Sequence, residues 1–144
     1  MPPRRVTDSC RLRNDLAEID IGKLAQQKGQ NQEVKQFGQM LEQDHSQNLK
    51  KAKQTAQDMG FKPPTEPNAK QKKTYEQLSK LSGEEFDRQF AQDMVNDHKQ
   101  DISKFENQAK SKGPFADFAR QTIPTLKKHL QTAESLTEEK RSQR

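Results

Sequence analysis

The chain contains three histidines, His45, His98 and His129, and each falls on or beside an apolar stripe with helical spacing. His45 lies about 15 residues after the first predicted turn, while His98 and His129 lie about 15 before and 16 after Gly113. Because an α-helix rises about 1.5 Å per residue, these positions predict one common level in the middle of a helical bundle. Imidazoles that converge at one level are typical of a transition-metal site.

Carboxylates could complete such a metal site. Glu18 and Asp20 lie on the first predicted helix, Glu42 lies three residues before His45, and Asp101 lies three residues after His98. A spacing of three or four residues places two side chains on the same side of a helix. We expect Glu18 and Asp101 to lie beside the three histidines and the bound ion to be a divalent transition metal such as zinc, iron or copper.

Two other roles for the histidines stay open. A half-buried histidine often only donates a hydrogen bond to a carboxylate, and Asp44 and Asp97 are possible partners. Histidine also titrates near neutral pH, which would suit a pH-sensitive role. A di-iron oxidase centre fits poorly, because it needs Glu-x-x-His on two helices and only Glu42 precedes a histidine in this way. The single cysteine, Cys10, excludes an internal disulfide and a multi-cysteine zinc site.

Apolar residues recur with the helical period in four long segments. The first covers about 14–28 and the second about 32–59. The third begins at Ser82, where Ser82 and Glu85 have the spacing of a capping box, and the fourth begins at Pro114. We expect Pro124 to kink or split the fourth helix.

Short connections at Gly29 and Gly113 predict two antiparallel helical hairpins. The connector at about 60–82 is long enough to return along the bundle, and a short helix is expected at about 66–80. The sequence therefore predicts an all-α four-helix bundle of two antiparallel hairpins joined by a long crossover that carries a short extra helix.

Three regions follow from this pattern: a disordered arm at 1–13, the bundle at 14–137 and a frayed tail at 138–144. The formal net charge is +5, and four of these charges lie in the arm and the tail. The bundle is therefore close to neutral, which argues against nucleic acid as a partner. No apolar run is long enough for a transmembrane segment. A protein partner and a homo-oligomer both stay open.

Several segments, in order along the chain, are similar to the domain-of-unknown-function 4142 family. They are LAEIDIGKLA at 16–25, NQEVKQF at 31–37, DHS at 44–46, LSKLSG at 78–83, FD at 86–87, MVNDH at 94–98 and IPTLKKHL at 123–130. That family resembles ferritin-like bundles, is mostly bacterial and exported, and has no activity generally assigned. The resemblance therefore implies a ferritin-like four-helix bundle in the periplasm or cell envelope. No secretion signal is readable at 1–13, so a cytoplasmic location also stays open.

We therefore expect a non-enzymatic helical bundle of the bacterial envelope that binds a divalent metal through its histidines. A role in stress protection would rest on the fold association alone. The first alternative is a metal-dependent oxidase or a metal-storage protein. The second is a structural module that binds another protein through its helix faces.

Overall fold

The structure, a computed structural model, describes the backbone of residues 2–142 and the side chains of residues 12–137. The described residues form five α-helices and no strand, which confirms the predicted all-α class. The helices are α1 (Pro2–Lys28), α2 (Gln32–Asp58), α3 (Ala69–Ser79), α4 (Gly83–Ala109) and α5 (Pro114–Ser142). None of them, over the described range, is both long and apolar enough to cross a membrane.

Local signals in the sequence explain where most of these helices begin. Asn31 caps α2, and its side chain accepts a hydrogen bond from the backbone N–H of Glu33 at 2.9 Å. Asn68 and Gln71 form a capping box at the start of α3. The capping box predicted at Ser82 does not form, since the Ser82 side chain makes no cap hydrogen bond. Gly83 has a left-handed φ of 58°, so the chain enters α4 through a different turn.

Two helices differ from the expected bounds. Helix α1 begins at Pro2, well before position 14, and the fully buried Leu12 already belongs to the core. The predicted disordered arm at 1–13 and frayed tail at 138–144 fall mainly on residues whose side chains lie outside the described range. Both stay predictions. Helix α5 continues through Pro124 without splitting. Pro124 and Arg120 are exposed, so water can bond to the Arg120 carbonyl that Pro124 leaves without a donor.

The most extensive helix contacts join α1 to α2 and α4 to α5. Helices α1 and α2 run antiparallel, since Gly22 meets Gly38 near the first turn and Asp15 meets His45 farther from it. Helices α4 and α5 follow each other through a short turn, and they also run antiparallel, since Glu106 meets Lys127 and His98 meets His129 farther from that turn. A Cβ atom on Gly22 would lie 2.6 Å from the Gly38 carbonyl oxygen, so the α1 and α2 backbones touch there. Helix α2 also packs on α5, and α3 contacts α1 and α4.

The buried side chains form two hydrophobic clusters. One contains Phe37, Phe90 and Met94, and the other contains Phe105 and Leu126. Along α4 the first cluster reaches residue 95 and the second begins at residue 102, so a gap of about two turns separates them. The three histidines occupy this gap and form a polar layer between the two apolar clusters.

Candidate metal centre

The structure brings the three histidines together, one from each of α2, α4 and α5. His98 and His129 are fully buried, and His45 is 2% exposed. The ring centroids lie 5.4 Å apart for His45 and His129, 5.5 Å for His98 and His129, and 6.2 Å for His45 and His98. One ring nitrogen from each histidine lies within 4.8 Å of those from the other two. This is the only such group of metal-ligand side chains within residues 12–137.

Each imidazole is held by a hydrogen bond from one of its two nitrogens. His98 Nδ1 lies 2.8 Å from the Met94 carbonyl oxygen, which can only accept, so this nitrogen carries the proton. His45 Nδ1 donates to Asp15 Oδ1 at 2.8 Å. His129 Nε2 donates to Asp44 Oδ2 at 2.7 Å. Partners of this kind fix the tautomer and the orientation of a metal-binding histidine.

The other nitrogen of each ring has no hydrogen-bond partner. These atoms are His45 Nε2, His98 Nε2 and His129 Nδ1, and all three are buried. With the first nitrogen protonated, each neutral ring presents a lone pair at the second. A buried acceptor without a donor costs about 1–3 kcal/mol, so three in one layer need an explanation.

Electrostatics favour the neutral form of His98 and His129. Burial lowers the pKa of His98 to about 3, and the neighbouring His45 and His129 act in the same direction. Burial also lowers the pKa of His129, although the hydrogen bond with Asp44 opposes this shift. A neutral imidazole is the form that binds metal, so the apolar surroundings favour the form needed for coordination.

A cavity of about 110 Å³ lies between α2 and α5, and His45 and His129 line it. Asp44, Asn48 and Thr122 provide further polar groups there. The Asp44 side chain is 36% exposed, so the histidine layer lies near solvent on this side. Asn48 Nδ2 donates to Asp15 at 3.2 Å, and Thr122 Oγ1 donates to Asn48 Oδ1 at 3.1 Å.

The predicted carboxylates do not join the close group of histidine nitrogens. Glu18 and Asp101 are buried, but they line a different cavity and do not join the group within 4.8 Å. Their role as metal ligands stays a prediction. Glu42 accepts a hydrogen bond from Gln26 Nε2 at 2.8 Å, and Asp20 is exposed.

Asp15 is a residue of the candidate site that the sequence interpretation does not identify. It lies 15 residues before Gln30 and His45 lies 15 residues after it, which places both at one level of the α1–α2 hairpin. Equal spacing from a turn, which places the histidines at one level, therefore places this carboxylate there as well. Sequence proximity pairs Asp44 with His45, whereas Asp44 holds His129 on another helix.

Similarity to known proteins is limited to one family of sequences. No curated protein and no solved structure matches the chain. The model of one family, described as a domain of unknown function (DUF4142), matches residues 12–136, which include the three histidines and both carboxylates that hold them. The chain belongs to the DUF4142 family.

Proposed function

We propose that this protein binds a divalent transition-metal ion through His45, His98 and His129. The observation that carries the proposal is the set of three buried ring nitrogens without partners, each on a ring whose other nitrogen is hydrogen-bonded. Three imidazoles that converge, each held by an outer hydrogen-bond partner, are typical of a histidine metal site.

The size of the group supports this proposal. If all three nitrogens lay 4.8 Å apart, a central ion would lie about 2.8 Å from each of them, by triangular geometry. A zinc–nitrogen bond measures about 2.0–2.1 Å, so ligation needs each ring to move inward by at most about 0.7 Å. Small rotations of the side chains suffice for such a movement.

The chemistry of the group favours a borderline metal. Imidazole nitrogens suit zinc, copper, iron and nickel, while magnesium and calcium prefer oxygen. Asp15 and Asp44 supply two negative charges next to the rings, which would balance a doubly charged ion. The cavity between α2 and α5 offers room for a water molecule as the fourth ligand.

The alternatives fit less well. A di-iron oxidase or storage site needs carboxylates that bridge two ions, and within residues 12–137 no carboxylate oxygen joins the histidine group. A purely structural role would favour apolar side chains or satisfied hydrogen bonds in this layer. This layer instead contains three polar ring nitrogens that accept no hydrogen bond.

We extend the proposal to the architecture and location. The antiparallel contacts of α1 with α2 and of α4 with α5, together with α2 against α5, support a ferritin-like four-helix bundle in which the segment with α3 is the crossover. Following the family resemblance in the sequence, we also propose a place in the bacterial envelope, with metal binding rather than catalysis as the function. Fractionation of the native host with an antibody against this chain tests that location.

The experiment is metal analysis of untagged protein, stripped with chelator and dialysed against limiting Zn²⁺. We expect one equivalent in the wild type and a loss of affinity of at least about 100-fold in His45→Ala, His98→Ala and His129→Ala. Gln121→Ala is the matched control, because Gln121 lines the same cavity and is exposed. Zinc content that is below about a tenth of an equivalent, or equal in all variants, contradicts the proposal.

A further inference from the structure

A second cavity of about 110 Å³ lies between α1, α3 and α4, on a different side of the histidine layer. Three carboxylates line it: Glu18 from α1, and Asp97 and Asp101 from α4. Helix α3 covers it with the oxygen-bearing side chains of Gln71 and Thr74. The cavity thus collects oxygen donors from three helices, and the histidine centre does not use them.

Two of these carboxyl groups have an oxygen without a partner. Glu18 Oε2 and Asp101 Oδ2 are buried and accept no hydrogen bond, and the whole Glu18 residue is 1% exposed. An ionised carboxylate in this position lacks a donor, and a protonated one has an O–H group without an acceptor. Either form is costly unless something in the cavity binds the oxygens.

The charges around Glu18 are all of one sign. Burial raises the pKa of Glu18 well above 4.5, and Asp97, Asp101, Asp15 and Asp93 raise it further. Lys70 and Lys104 also line the cavity, where both lower the pKa of Asp97 and Lys104 also lowers that of Asp101, but neither acts on Glu18. The cavity is therefore acidic around Glu18, whose charge no basic side chain compensates.

We propose that this carboxylate cavity, formed by Glu18, Asp97 and Asp101, is a second cation site that takes a hard divalent ion such as Mn²⁺. Carboxylate and amide oxygens are the ligands that such ions prefer, whereas the histidine centre selects metals that prefer nitrogen. A bound ion would give the two free oxygens a partner and neutralise the acidic region around Glu18. The site differs from the histidine centre in its ligands, its helices and its cavity.

The test uses the full chain, stripped of metal, with the free Mn²⁺ signal in electron paramagnetic resonance as the readout. We expect wild type to bind one equivalent with a dissociation constant tighter than about 1 mM. Glu18→Gln and Asp101→Asn keep the side-chain shape, and each should weaken Mn²⁺ binding at least about tenfold. Glu106→Gln changes an exposed carboxylate and should leave binding unchanged.

His129→Ala separates this proposal from the first one. It lies on α5, which contributes nothing to the carboxylate cavity, so it should abolish zinc binding and leave Mn²⁺ binding within about threefold. Loss of Mn²⁺ binding in His129→Ala would show one shared site and overturn the second site alone. No Mn²⁺ binding by wild type, or equal binding by all variants, would also overturn it, with water as the occupant of the cavity.

Discussion

Replacing His98 with leucine should stabilise the metal-free protein while it destroys metal binding. His98 is fully buried, and leucine has nearly its volume, so the replacement leaves little cavity. The change removes one unsatisfied acceptor, worth about 1–3 kcal/mol, and adds apolar burial. It also loses the hydrogen bond to Met94, worth about 0.5–1.5 kcal/mol. We therefore expect a net gain of about 1–3 kcal/mol near neutral pH.

This difference should grow as the pH falls. The pKa of His98 is about 3 in the folded protein, against the ordinary histidine value of 6.5 that applies to the unfolded chain. Between these values the unfolded state binds more protons at His98, so this residue costs the wild type stability on acidification, a loss that His98→Leu lacks. About pH 5 lies 1.5 units below the unfolded-state pKa of 6.5, so the stability difference between His98→Leu and the wild type should be about 2 kcal/mol larger there than at neutral pH. Shifts at Glu18 and Asp101 occur in both proteins and cancel to first order.

Urea denaturation followed by circular dichroism measures both effects, in chelator at about pH 7.5 and about pH 5. Added Zn²⁺ at 100 times its dissociation constant should stabilise the wild type by about 2.7 kcal/mol and leave His98→Leu unchanged. Met94→Leu is the control, since it alters a buried neighbour without a titrating group. Destabilisation of His98→Leu by more than about 2 kcal/mol in chelator would refute the argument, because His98 Nε2 would then have a partner.

Three further predictions concern the framework of the site. Gly38→Ala should lower the free energy of unfolding by about 1–3 kcal/mol, because the alanine Cβ would lie 2.6 Å from a backbone oxygen of α1. An unchanged melting temperature in thermal denaturation would contradict the close contact. Asp87→Asn should lower the free energy of unfolding by about 2–4 kcal/mol, because the backbone amides of Gln30 and Asn31 donate to the Asp87 carboxylate at 3.0 and 2.8 Å. It should also speed hydrogen exchange at these two amides, and equal exchange rates would count against this link. Glu18→Gln should stabilise the metal-free protein more at about pH 8 than at about pH 4.5. The raised pKa of Glu18 makes the wild type lose stability as the pH rises above 4.5, and glutamine does not titrate. A stability difference that does not change with pH would argue against the raised pKa.

Much of the centre could be predicted from helix geometry. His45, His98 and His129 share a level because each lies about the same number of residues from a turn, and the turns follow from glycine and proline. The structure confirms their convergence. The all-α class was also predictable, because the scarce apolar residues lie on helical stripes.

The partners of the histidines were harder to predict. Asp15 and Asp44 contact rings on neighbouring helices, and such contacts depend on the rotation of each helix about its axis. Helical spacing gives the level of a side chain to within a turn but leaves this rotation open. For the same reason the spacing alone groups Glu18 and Asp101 with the histidines, whereas in the structure they line a separate cavity between α1, α3 and α4.

The start of α4 shows another limit of sequence patterns. Ser82 and Glu85 have capping-box spacing, yet Gly83 between them adopts a left-handed φ. Glycine allows this conformation without penalty, so the spacing alone could not decide between the two turns. Asp87, whose carboxylate holds the α1–α2 turn, carries no local signal because its partners lie more than 50 residues away.

X-ray absorption spectroscopy at the zinc edge of the zinc-loaded protein identifies the atoms that bind the ion. The proposal predicts a first shell that contains three imidazole nitrogens at about 2.0–2.1 Å, with one oxygen from water. His129→Ala should lose the zinc or show only two imidazoles. A wild-type shell made only of oxygen atoms, or one that His129→Ala leaves intact, would contradict the assignment of the three histidines as the metal ligands.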